Sequence, residues 1–181
     1  MSVKPVVLAS TVEPTRGTRG TGLRLAQAAC VVGVLFAAVS AYWGLRGTWL
    51  LDTLPVSFEE QARAGEVGIF VAVWAAAVLK IMAAVLPVLA LHRMTRATWS
   101  RVVWVLAWVA AIFLTLYGLA QTAAAQLVYA GVLDDAAASA DDRRLLWRAF
   151  VWDPWFLIWG LLTVAALLYG RRHRDQRPAH G

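Results

Sequence analysis

The sequence predicts an all-α polytopic membrane protein whose four transmembrane helices form two hairpins. Three observations carry that prediction. Of the 181 residues, 60% are hydrophobic, where a soluble domain is nearer half apolar. They gather in four long blocks separated by charged stretches, and a block of about 20 apolar residues crosses the roughly 30 Å of bilayer hydrocarbon. The basic residues alternate in density from one side of these blocks to the other.

Residues 1–22 mix Lys4, Arg16 and Arg19 with Pro, Thr and Gly and lack an apolar period, the composition of a disordered tail. The first span follows over 23–43. A cleaved signal peptide ending near Ala38-Val39-Ser40-Ala41 is the rival reading, but the leader would be long and its apolar core longer than usual. In the loop after it, Ser57-Phe58-Glu59-Glu60 has the form of a capping box. The loop is therefore expected to carry a short surface helix leading into the second span, 67–91. A tight link with Arg93, Arg96 and Arg101 leads to the third span, 102–128.

The second long loop carries Asp134, Asp135, Asp141 and Asp142, then Arg143, Arg144 and Arg148. Leu145, Leu146, Ala149 and Phe150 recur at near-helical spacing, which suits a segment lying in the interface. Asp153-Pro154 reads as an N-cap with proline in the first turn. It opens the fourth span, 154–170, and residues 171–181 form a basic tail.

Charge sets the orientation. The first tail with Arg24, the middle link and the last tail hold most of the arginines and only Glu13 and Asp175 as acids. The two long loops hold the acidic clusters. Under the positive-inside rule both termini lie in the cytoplasm and the long loops outside, in a chain expected in the bacterial inner membrane. The formal charge of +6 flanks apolar blocks and lines no soluble face, so nucleic acid is not expected as a partner.

No motif for catalysis, a cofactor or a metal is present. Cys30 is the only cysteine, and His92, His173 and His180 lack metal-ligand spacing. The acidic loop lacks the glycine turn and final glutamate of a calcium loop.

Lys80 is the sharpest feature. A charge near the bilayer centre costs about 2.5–3.5 kcal/mol on insertion scales, and such residues usually face protein or water. Small residues at Gly68, Ala72, Ala76 and Ala84, and at Ala29, Gly33, Ala37 and Ala41, would let the first two spans approach closely. Lys80 is therefore expected inside the bundle, near the level of Gly33, Thr115, Tyr117 and Thr163. With Thr115, Tyr117, Gln121 and Gln126 of the third span it forms the candidate binding set. Counter-ion, proton relay and simple polar contact all remain open for it. Trp43, Trp49, Trp147, Trp152 and Trp155 read as anchors at the outer interface.

Tyr42-Trp43-Gly44-Leu45-Arg46-Gly47-Thr48-Trp49, followed by Pro55, closes the first span. Trp152-Asp153-Pro154-Trp155-Phe156-Leu157 opens the last. Together these stretches resemble an uncharacterised family of small four-helix bacterial membrane proteins. The departure is Leu45-Arg46, where that family more usually has a Gly-Gly turn. The resemblance implies four spans and no activity. The sequence thus points to a non-catalytic lipid or small-molecule binder or an accessory subunit, with a lipid bilayer around it and room for a homo-oligomeric or membrane partner. The alternative is a membrane-embedded enzyme or oligomeric transporter acting through Lys80.

Overall fold

The computed structural model describes residues 16–92, 97–133 and 142–175. Four helices are long and apolar enough to cross a membrane, and among the described residues there is no strand. They contain α1 (Arg16–Gly44), α3 (Val67–Leu91), α4 (Ala97–Tyr129) and α6 (Asp153–Asp175); α2 (Val56–Ala64) and α5 (Asp142–Trp147) belong to the long loops. Helix α1 begins within the expected tail 1–22, while residues 1–15, the acidic stretch 134–141 and the tail end 176–181 lie outside the described residues.

Helix α1 runs antiparallel to both α3 and α6, and α4 runs antiparallel to α6. Gly33 marks where three spans meet: a Cβ there would lie 2.5 Å from the Trp159 ring and 2.7 Å from the Cβ of Ala84. Gly118 and Gly160 serve the α4–α6 contact in the same way. A Cβ on Gly160 would sit 2.6 Å from the Thr115 amide, and one on Gly118 would run into the backbone of Leu157. Backbones so close exclude lipid between them and gain dispersion contacts along their length. Gly22 packs by Gly170, which in turn meets Leu91 and Trp104. The described ends of α1 and α6 therefore share one end of the bundle, here called the link end, with the end of α3 and the start of α4, and α2 and α5 share the other.

The buried face of α3 is Val73, Ala77, Ala84 and Pro87, with Lys80 at the heptad position between them. Of the ladder expected at Gly68, Ala72, Ala76 and Ala84, Ala84 lies on the contact face, Ala76 is half-buried, and Gly68 and Ala72 are exposed. Steps of four overshoot a 3.6-residue turn, so a strict i+4 ladder drifts around the helix, whereas alternating steps of four and three hold one face. On α1 the small residues Ala29 and Ala37 are buried as expected.

Both loop boundaries differ from the sequence reading. Helix α2 forms, but Pro55 is its N-cap residue and no side chain caps it. Ser57 and Glu60 therefore make no capping box, because proline at the boundary starts the helix earlier. Gly65, at φ 73°, ends α2 in the left-handed region and separates it from α3. Asp153 is not an N-cap either, since its φ and ψ of −75° and −44° are helical. Helix α5 passes through a π-helical turn, Arg148–Trp152, directly into α6. Asp153 N–H bonds the Arg148 carbonyl five residues back, and this wider turn accommodates the proline that follows, whose ring crowds an ordinary α-turn.

Candidate functional site

Side chains on a helix tilt towards its N-terminus, which for α3 is the loop end of the bundle. Lys80 follows this rule. Its Nζ donates to Ser40 Oγ at 2.7 Å and stands 3.8 Å from the centre of the Phe36 ring. Ser40 Oγ also donates to the Phe36 carbonyl, at 3.4 Å, so it keeps an acceptor of its own. Phe156 of α6 completes the surroundings, 5.8 Å from Nζ and 4.6 Å from Phe36 between ring centres.

This level differs from the one expected. Gly33 faces Ala84 and Trp159, whereas the ammonium reaches Ser40, about two turns further towards the loops. Ser40 lies four residues before Gly44, so the charge is only about 6 Å below the end of α1.

Above the ammonium sits an aromatic roof. Trp43 and Trp152 pack with ring centres 5.5 Å apart, and Phe58 of α2 meets Trp43 at 6.1 Å. Trp43 and Trp152 are 8% and 6% exposed, so they are core residues and not the lipid anchors their position suggested. Their indole N–H groups reach Trp49 O at 2.9 Å and Thr53 Oγ1 at 3.1 Å, which ties the first loop to the spans. Trp49, by contrast, is 64% exposed.

Helices α3 and α4 pack at their link end, where Leu86 and Ala90 lie on the cluster of Ala107, Ala111 and Leu167. Nearer the loops Phe156 of α6 meets both helices, with Tyr117 of α4 at 5.1 Å from its ring and Lys80 Nζ of α3 at 5.8 Å. Tyr117 is 39% exposed, and Lys80 and Phe156 are half-buried. Phe36, Phe156, Lys80 and the partly exposed Tyr117 thus form one polar–aromatic cluster on the α3–α4 side of the bundle, called the seam below.

The remaining candidates divide. Gln121, half-buried, lies one turn along α4 from Tyr117. Gln126 is exposed. Thr115 donates its hydroxyl to the Ala111 carbonyl at 2.7 Å and packs on Gly160, a structural role. Sequence reasoning missed Ser40, Phe36 and Phe156; the signal available was that Ser40 is the single serine in the first span. Among the described residues no carboxylate forms an ion pair with Lys80, and no cluster of His, Cys, Asp or Glu could hold a metal.

A family model described as a protein of unknown function, DUF3995, matches residues 33–163. The chain belongs to the DUF3995 family. The match takes in Ser40, Lys80, Tyr117 and Phe156 as well as both long loops. Neither a curated protein nor a solved structure shows a significant match to this DUF3995 chain.

The two loops of the DUF3995 domain are clasped over the site by charge. Arg144 of α5 places Nη2 2.6 Å from Glu59 Oε2 of α2 and bonds the Leu54 carbonyl through Nη1. Arg63 meets the other Glu59 oxygen at 2.7 Å. The Arg144 and Glu59 side chains are 18% and 15% exposed, which shields the pair more than an open surface would. Arg143 and Asp52, at 2.9 Å, are largely exposed and contribute little.

Hydrogen bonds from Arg144 and then Arg63 hold the Glu59 carboxyl below its ordinary value of 4.5. A depressed carboxyl stabilises the fold fully above its unfolded pKa and loses that contribution as pH falls through the folded one. The melting temperature of the wild type is therefore expected to fall below about pH 4.5 by more than that of Glu59→Gln. Equal acid profiles for the two would remove Glu59 from the clasp.

Proposed function

We propose that this protein is a non-catalytic resident of the bacterial inner membrane that binds a lipid or membrane-soluble small molecule in the seam at Lys80. The observation that carries the reading is an ammonium held among aromatic rings without an acidic partner among the described residues. Cations kept within spans mark binding sites or ion pathways more often than lipid contacts. This reading takes Tyr117, with Gln121 one turn further along α4, as the other side of the site, and leaves out Thr115 and Gln126.

The test is native mass spectrometry of protein released gently from its own membranes. A retained small molecule or lipid that Lys80→Met does not retain supports the reading. A second protein retained in place of a ligand would make the chain an accessory subunit with Lys80 at the interface. Protein that emerges bare would overturn both.

The orientation proposed with it places both termini in the cytoplasm, on the charge asymmetry of the loops and tails. A C-terminal reporter active only outside the cytoplasm should stay silent, and signal from it would reverse the orientation.

A further inference from the structure

The surroundings of Lys80 narrow the ligand further, on the premise that the seam is a binding site. An ammonium has three N–H donors. One serves Ser40 Oγ at 2.7 Å, and the Phe36 ring occupies another direction at 3.8 Å. About one donor is left for a ligand. Arg46 stacks over Phe70, some 15 Å along α3 from Lys80, so its guanidinium adds no fork to the site. Phosphate groups are usually held by several donors or a bidentate guanidinium. A monoanion with one oxygen to offer suits this site better.

Depth argues the same way. The ammonium lies below the roof of Trp43 and Trp152, about 6 Å inside the end of α1. Phospholipid phosphates lie in the headgroup layer outside the hydrocarbon core, on the far side of such a roof. An acid group joined directly to its chain can sit deeper, with the chain leaving through the seam past Tyr117 into the bilayer.

We infer that the seam takes a single-chain amphiphile ending in a carboxylate, a long-chain fatty acid by chemical class. The carboxylate accepts from Lys80 Nζ, and the chain packs on Phe156 and Tyr117.

The experiment uses the full chain in a non-ionic detergent. It is titrated with palmitic acid, with the alcohol of the same chain and with the alkyl phosphate of the same chain, and bound amphiphile is counted by native mass spectrometry. The expected result is one palmitate per chain, held at least about 10-fold more tightly than the alcohol or the phosphate, which is about 1.4 kcal/mol. Lys80→Met should lose that preference.

Lys80→Met is expected to melt no lower than the wild type, since it removes a desolvated charge while Ser40 keeps the Phe36 carbonyl. If it does unfold, Lys80→Gln, which retains a donor for Ser40, replaces it. Equal retention of acid and alcohol, or a preference that survives in the variant, overturns the carboxylate assignment and leaves a lipid site standing. Preference for the phosphate overturns it in favour of a phospholipid. Binding of none of the three overturns the assignment, and only empty protein from native membranes overturns the wider reading as well.

Discussion

Gly118→Val is expected to be the most damaging single change in the spans. The first added carbon would meet the Leu157 backbone and lie 2.8 Å from the Phe156 carbonyl carbon, and backbone in two packed helices cannot rotate out of the way as a side chain can. Overpacking usually costs 1–3 kcal/mol. A β-branched residue at a backbone contact belongs at or above the top of that range, so the melting temperature in detergent should fall by roughly 10 °C. Gly68→Ala is the control: nothing lies within 4 Å of a Cβ there, and the helix gains up to about 1 kcal/mol in propensity. Similar behaviour of the two variants would mean that α4 and α6 are not in backbone contact.

The second large effect is expected at Trp152. Its ring meets Phe36, Trp43, Trp147 and Trp155, and its N–H reaches Thr53. Trp152→Ala opens a cavity under the loops and should cost about 3–5 kcal/mol. Trp152→Phe keeps much of the packing, and Thr53 still donates to the Leu50 carbonyl at 2.6 Å, so the loss should be nearer 1 kcal/mol. Hydrogen exchange over residues 51–64 distinguishes a loosened loop from a loosened bundle. Faster exchange there in the alanine variant, with the spans still protected, is the expected pattern. Unchanged exchange there would show that Trp152 does not hold the loop.

The four spans were legible because lipid imposes a length and a composition on every helix that crosses it. Lys80 was legible as an inward residue for the same reason, since a cation facing hydrocarbon is costly. The depth of its charge was not, because counting residues locates a Cα and a lysine side chain carries its charge several ångströms along the helix. The α3 contact face was misread at Gly68 and Ala72, because a run of small residues with the wrong period drifts off the face that Ala84 does share. Trp43 and Trp152 were misread because a ring at the interface and a ring in the roof have the same position in the sequence. The Glu59–Arg144 clasp joins two loops 85 residues apart in the chain, and nothing local announces such a pair.

The Leu45-Arg46 turn has a backbone feature of its own. Arg46 adopts φ 65°, a conformation that glycine takes without steric cost and other residues do not. Its guanidinium lies 5.2 Å from the Phe70 ring, a contact that offsets part of the strain.

On the reading proposed above, a ligand reaches Lys80 from the bilayer, between α3 and α4 and beneath the Trp43–Trp152 roof. A molecule reaching the Lys80 amine by that route has already left water and travels within one leaflet. Its occupancy then follows its partition coefficient and its mole fraction among the surrounding lipids, not its aqueous concentration. Two solutes of equal intrinsic affinity would differ in apparent potency by the ratio of their partitioning, and diluting the same protein into more bilayer would empty the site without any change in the buffer.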